Sequence, residues 1–261
     1  MALNYTRQGR GEPLVLIHGL GASGRVWDPL LERLSANRDV IVVDLPGFGT
    51  SPPLPAQNPP TASALAQAVA EHLNEIGVSR PHVAGNSLGG WVALELGRTQ
   101  AASVAAISPA GLWQRPLGPR STNLQRMGRA LRWPLTALMR TRRGRAFVLR
   151  PSLAHPDRVP PEAARGLVTD WLDAPGYDAA NHEMRAAVLE RPEEIKVPVT
   201  IIRGDEDRLV GLPASERTPP GATLIRLAGA GHTPTWDAPE RIANLLLQAS
   251  SPESAPAQPR R

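Results

Sequence analysis

The chain has 261 residues, 41% of them hydrophobic and 20% charged, the make-up of a globular protein with room for one α/β core and an insertion. It contains no cysteine, which excludes disulfides, thiolate metal sites and a cysteine nucleophile, and no apolar run approaches the length of a membrane span. The net charge of +5 rests on arginine, Lys196 being the only lysine, and such a surplus does not by itself call for a nucleic-acid partner.

The opening residues, Met1 to Arg7, lack the apolar stretch of a signal peptide and alternate like a strand, so a cytoplasmic setting is expected. Strands are then predicted at Leu3–Arg7, Pro13–His18, Arg38–Asp44, Pro81–Asn86, Ser103–Ser108, Val197–Arg203 and Ala222–Leu227. Runs such as Leu14-Val15-Leu16-Ile17 and Val40-Ile41-Val42-Val43 are apolar on both faces, as strands buried in a parallel sheet must be. Helices are predicted at Val26–Ala36, Thr61–Ile76, Leu88–Thr99 and Pro239–Ala249. Strand and helix alternate, which argues for an α/β fold with a doubly wound, mostly parallel sheet.

Between Ala110 and Ile195 the β-branched runs stop and proline-punctuated helical segments replace them: Thr122–Trp133, Leu135–Leu149, Pro161–Asp173 and Ala179–Glu190. The expected organisation is a discontinuous core, residues 1–109 and 196–249, with an all-helical cap inserted at 110–195. The Pro/Ser/Ala-rich residues 250–261 read as a disordered tail.

Ligands on open parallel sheets bind beyond the carboxyl ends of the strands, so the residues just after each run matter most. Successive runs are followed by His18-Gly19-Leu20-Gly21, by Asp44-Leu45-Pro46-Gly47-Phe48-Gly49, and by Ser87 within Gly85-Asn86-Ser87-Leu88-Gly89-Gly90. The last two are followed by Arg203-Gly204-Asp205-Glu206-Asp207 and by Gly229-Ala230-Gly231-His232. Gly-x-Ser-x-Gly is the form of a nucleophile elbow, a strand-to-helix turn too tight for a Cβ two residues either side of the serine. Serine, acid and histidine follow one another in the order expected for a triad of this type. Serine needs a base to take its proton, His232 is suited to that exchange, and a carboxylate must fix the imidazole tautomer. Asp205, Glu206 and Asp207 all compete for that last place.

With these motifs the chain resembles the α/β-hydrolase superfamily, in the branch of serine hydrolases with a helical cap. The likeness covers nearly the whole sequence, being most specific at the elbow and weakest in the cap. It implies Ser87 as nucleophile, His232 as base and, from the family's Gly-x-x-Asp spacing, Asp207 as acid with Asp205 second. It implies an oxyanion hole from the amides of Leu88 and Leu20, with Gly21 behind Leu20, and scaffold roles for His18 and Asp44. No cofactor or metal is expected, and the substrate is expected to be a small molecule. Within the family the expected activity is hydrolysis of a small, mostly apolar ester through an acyl-enzyme.

Carbon–carbon hydrolysis of ring-cleavage products is the alternative, since those enzymes often carry Gly-Asn-Ser-x-Gly-Gly; the Thr233-Pro234-Thr235 after His232 lacks the aromatic expected there. Haloperoxidase or perhydrolase chemistry fits less well, with Leu20 and Leu88 where an aromatic and a methionine are typical. Epoxide hydrolases and haloalkane dehalogenases need an aspartate nucleophile. A non-catalytic ligand-binding protein on the same fold is the alternative from a different class, and an intact triad argues against it. Gly19-x-Gly21-x-x-Gly24 also matches a dinucleotide fingerprint with Asp44 near the ribose position, but the three strand-end residues outweigh it.

The cap should set substrate choice. Trp113, Leu124, Met127, Leu131, Trp133, Leu138, Met139, Phe147, Trp171 and Leu172 are candidates for an apolar pocket, with Trp27, Trp91, Trp236 and Gly21 near its border. Ten arginines and no acidic residue lie between Trp113 and Arg150, leaving the rest of the chain net acidic. That segment reads as a solvated helix face, as a guide for an anionic substrate, or as a weak attraction to anionic lipid surfaces. No nucleic-acid motif accompanies it. The sequence leaves the oligomeric state open.

Overall fold

The computed structural model describes residues 1–118 and 123–251. Within them the strands β1 (Tyr5–Gly9), β2 (Pro13–Ile17), β3 (Asp39–Val43), β4 (His82–Asn86), β5 (Ser103–Ile107), β6 (Val199–Gly204) and β7 (Thr223–Leu227) form one sheet. Its order is β1-β3-β2-β4-β5-β6-β7, and every pair is parallel except β1 with β3.

Side chains alternate across a strand, so β2 and β3 feed two cores at once. Val15, Ile17, Ile41 and Val43 join one apolar cluster with Leu65, Val69 and Val92. Leu14, Leu16, Val40 and Val42 join a second with Leu30, Leu34, Ile242 and Leu246. The first is covered by α2 (Ala62–Glu75) and α3 (Leu88–Leu96), the second by α1 (Asp28–Ser35) and, near the end of the chain, by Pro239–Ala249. Burial on both faces is why these strands carry almost no polar side chain.

Among the described residues five α-helices lie between β5 and β6: α4 (Asn123–Ala130), α5 (Arg132–Leu138), α6 (Arg142–Val148), α7 (Pro161–Asp173) and α8 (Tyr177–Ala186). Met139, Leu153, Val159, Ala164, Val168 and Leu172 form a third cluster, so this insertion packs around a core of its own. The chain closes with the short α9 (Pro234–Asp237) and α10 (Pro239–Ala249).

Three expectations change. The two long helices expected from Thr122 to Leu149 are three shorter ones. Pro134 has no N–H and would clash with the turn before it in a helix interior; it sits instead in the first turn of α5, so the helix restarts at Arg132. Thr141 then accepts the Gly144 N–H at 3.0 Å and caps the start of α6. The helix expected at Ala179–Glu190 begins earlier and ends at Ala186, after which the chain is extended and Leu189 donates to the Gly111 carbonyl on its way back to the sheet. Finally, Ser250 is no part of a loose tail: it is buried, and Arg38 donates to its hydroxyl at 3.1 Å and to its carbonyl at 2.9 Å. The rest of the expected tail, 252–261, lies outside the described residues. Among those described, no helix is long and apolar enough to cross a membrane.

Candidate active site

The sheet order reverses at β2, whose neighbours are β3 on one side and β4 on the other. A crevice opens beyond the carboxyl ends of the strands at such a switch point. Gly19 follows β2 there and Ser87 follows β4, and a Cβ built on Gly19 would lie 3.1 Å from the Ser87 Cβ. Ser87 has φ 56° and ψ −116°, a left-handed-side conformation that costs a non-glycine residue about 1–3 kcal/mol. The surroundings enforce it. The Ser87 N–H donates to the Ile107 carbonyl at 2.9 Å, and the Ser87 carbonyl accepts from Ala110 and Trp91. Side chains at Gly85 or Gly89 would run into the Gly89 carbonyl and the Ile17 carbonyl respectively, so the turn closes only with glycine at both places. The result lifts a half-buried serine onto the N-terminus of α3.

His232 and Asp207 come together from the loops after β7 and β6. His232 Nδ1 is 3.0 Å from Asp207 Oδ2, with the Asp207 side chain fully enclosed. The other carboxylate oxygen accepts the N–H groups of Leu209 and Val210 at 2.9 and 3.0 Å. Burial alone would raise the Asp207 pKa. The His232 hydrogen bond and charge, with the two backbone donors, overcome it and hold the carboxyl down at about 2. An ionised Asp207 can only accept, so Nδ1 carries the hydrogen and the lone pair of a neutral ring is on Nε2. The competing acids are occupied elsewhere: Asp205 accepts the Gly229 N–H at 2.8 Å, and Glu206 pairs with Arg208 at the surface.

The loop after β2 is fixed through His18. The Leu45 N–H donates to His18 Nε2 at 3.0 Å, so Nδ1 must hold the hydrogen and donate to the Gly19 carbonyl at 2.8 Å. Complete burial lowers the pKa of this imidazole and keeps it neutral. Among the described residues the amides of Leu20 and Leu88 have no acceptor. Asp44 takes three donors, from Asn4, Gly24 and Thr50, which ties the Pro-Gly-Phe-Gly turn to the sheet.

Two residues escaped the sequence reading. Asn86 donates to the His232 carbonyl at 2.9 Å and to the Ile107 carbonyl at 3.2 Å. Asp237 accepts from Gly231 at 2.8 Å, from Ala154 at 3.0 Å and from His155 at 2.8 Å, binding the histidine loop to the segment between α6 and α7. The second ends the short helix Pro234–Asp237, where no motif in the neighbouring sequence points to an acid.

The expected pocket residues separate. A Cβ on Gly21 would lie 2.8 Å from Trp171 and 3.0 Å from Tyr177, so these two aromatics of the insertion pack against the loop after β2. Trp113 lines a cavity of about 90 Å³ with Ser108, Leu112, Arg203, Leu209 and Leu212, whose walls do not include Ser87 or His232. Trp27 is a correction: it is fully buried among Leu30, Leu34 and Ile242, because the 3-10 turn at Gly24–Trp27 points it into the core beneath the sheet. Trp236 packs on the cap cluster, and Trp91 is buried edge-on to Trp113. Met139 and Leu172 fill the cap core. Met127, Leu131, Trp133, Leu138 and Phe147 are exposed, so they face out of the cap and not into it. The Leu124 side chain lies outside the described residues.

A parallel sheet with a strained serine at its switch point, and histidine and carboxylate on neighbouring loops, defines a hydrolase-type α/β architecture. The chain belongs to the alpha/beta hydrolase family, whose sequence pattern matches residues 14–245. It is 34% identical over 209 residues to the epoxide hydrolase EphH of Mycobacterium tuberculosis, spanning 71% of this chain and 93% of that protein. Its fold is similar to that of a thermophilic esterase from Thermogutta terrifontis, with TM-score 0.72, 26% identity, and coverage of 95% and 94% of the two chains. Over 100 residues it is 40% identical to the pimeloyl-[acyl-carrier protein] methyl ester esterase of Aeromonas salmonicida, a match to 38% of this chain and 37% of that one.

Proposed function

We propose that the protein is a serine hydrolase that cleaves a small, mostly apolar ester through an acyl-enzyme on Ser87. The observation that carries this reading is the enclosed His232–Asp207 pair at 3.0 Å, which leaves a basic nitrogen free at the strand ends where the elbow presents Ser87. Ser87 Oγ attacks the ester carbonyl as His232 Nε2 takes its proton. Negative charge on the former carbonyl oxygen is met by the amides of Leu88 and Leu20. His232 then protonates the departing alcohol, and a water deprotonated by the same nitrogen releases the acid and restores Ser87. Asp207 stays ionised throughout, orienting the ring and stabilising its cationic form.

The similarity to an epoxide hydrolase does not redirect the chemistry. A carboxylate that opens an epoxide forms an ester that water can cleave, whereas a serine would form an ether and stop after one turnover. Ester carbonyls suit Ser87; epoxides do not. The helices 123–186 act in this reading as a cap over the elbow, with Trp171 and Tyr177 nearest the oxyanion loop. A cytoplasmic setting is part of the same reading, in keeping with a chain that has no cysteine.

Labelling with a fluorophosphonate followed by peptide mapping tests it. Modification on Ser87, with loss of both labelling and p-nitrophenyl ester turnover in Ser87→Ala, is the expected result. A folded protein that takes no label at Ser87 would sink the reading.

A further inference from the structure

The outer surface of the cap has a composition that water does not explain. From Arg126 to Arg150 every exposed residue is arginine or apolar except Thr141. The outward face of α5 is Trp133, Pro134, Ala137 and Leu138, with no polar side chain in it. Trp133 is 81% exposed and Phe147 80%, and Met127 on α4 and Leu131, between α4 and α5, are exposed as well. Since α5 packs against α4, α6 and α7, these exposed residues lie on or beside adjoining helices of the insertion. A helix face turned to solvent normally carries charged or amide side chains, and contiguous exposed apolar residues of this kind mark a contact surface.

The charges around that surface say what kind. Among the described residues no carboxylate pairs with Arg126, Arg140 or Arg143, while Arg132 and Arg142 are matched by Asp173 and Asp157. We infer that this face of the cap docks on an anionic lipid surface, with Trp133 and Phe147 entering the headgroup layer and the free arginines meeting phosphate. Tryptophan and phenylalanine suit that depth, and a guanidinium binds phosphate through two parallel hydrogen bonds. A second copy of the chain is the poorer occupant. In a two-fold dimer the same patch meets itself, which would set arginine against arginine around an apolar centre.

Sedimentation of the full chain with phosphatidylcholine vesicles, with or without phosphatidylglycerol, tests this without any reference to catalysis. Three unpaired arginines should favour the anionic vesicles by roughly a hundredfold in affinity at low salt, with most of the preference lost in high salt. Arg140→Gln with Arg143→Gln should remove much of that preference. Trp133→Ala with Phe147→Ala should weaken binding by about tenfold or more. These side chains are so exposed that the variants should melt at the parent temperature. Equal binding to both vesicle types, no binding to either, or unchanged binding by the Trp133/Phe147 variant each overturns the inference. So does light scattering that shows a dimer which Trp133→Ala dissociates, since the second copy would then be the occupant.

Discussion

The Asn86 side-chain amide donates to the main-chain carbonyl of His232 at 2.9 Å, across 146 residues of sequence. The residue before the proposed nucleophile therefore holds the loop of the proposed base. Its second hydrogen bond goes to the Ile107 carbonyl, which also accepts the Ser87 N–H. One carbonyl thus registers the elbow and the histidine loop together.

Replacing Asn86 with leucine should leave the His232 carbonyl buried without a donor, at a cost of about 1–3 kcal/mol in stability. Turnover should fall further than that loss of fold implies, by roughly tenfold or more in kcat with KM little changed, because the base is displaced. Steady-state kinetics beside a denaturant melt measures both. An Asn86→Leu variant with wild-type kcat would show that the tether does not position His232.

The three acids after β6 should separate cleanly. Asp207→Asn keeps the shape but loses the charge that fixes the imidazole tautomer, and should lower kcat by roughly 10⁴-fold. Asp205→Asn keeps an oxygen to accept the Gly229 N–H and should change kcat by less than about tenfold. The reverse ranking in an ester assay would reassign the acid.

Asp237→Ala should leave three N–H groups, on Gly231, Ala154 and His155, without their acceptor. A loss of about 2–4 kcal/mol is expected, together with faster amide exchange at Gly231 and Ala154. Hydrogen exchange followed by mass spectrometry reads this directly. Protection unchanged in both peptides would contradict the role given to Asp237.

Acid should weaken the fold in two stages. Burial lowers the imidazole pKa of His18, His72 and His82 below the ordinary 6.5, so the unfolded chain binds those protons first. Their contribution is complete above about pH 6.5 and is lost as pH falls below it. Asp207 adds a second loss, complete above its ordinary 3.8 and removed as pH falls towards about 2. Thermal melts should therefore show Tm dropping between pH 7.5 and 5, and again below pH 4; a flat Tm from pH 7.5 to 5 would refute the first stage.

Much of this site could be read from the chain because its constraints are local. Gly85 and Gly89 are spaced by the sterics of one turn, between a short strand and a helix, so the elbow announces itself within ten residues. Asp237 does not, since two of its three partners lie 82 and 83 residues away and nothing in the adjacent sequence requires an acid there. Trp27 is hard to place from sequence for a related reason: it follows Gly19–Gly21 closely, but proximity along the chain does not say which face of the sheet a side chain enters. The outward apolar residues of α5, Trp133 and Leu138, are equally ambiguous, because an apolar helix residue carries the same pattern whether it lines a pocket or faces away from one. Only the break at Pro134 and the packing of α5 on α7 decide it.

The arginines of the cap also shape the protein at a distance. With +10 between Trp113 and Arg150 and a total of +5, the remainder of the chain carries −5. That −5 lies in residues 151–195, with nine acids against four arginines, so 110–195 as a whole carries the full +5 and the remaining chain, with 15 basic and 15 acidic residues, is neutral. In the field of a negatively charged body it experiences a torque as well as a pull, and turns its cap forward before any contact is made. The effect reaches about one Debye length, roughly 10 Å at 0.1 M salt. Whatever enters beneath Trp171 and Tyr177 is then met by a molecule already facing it.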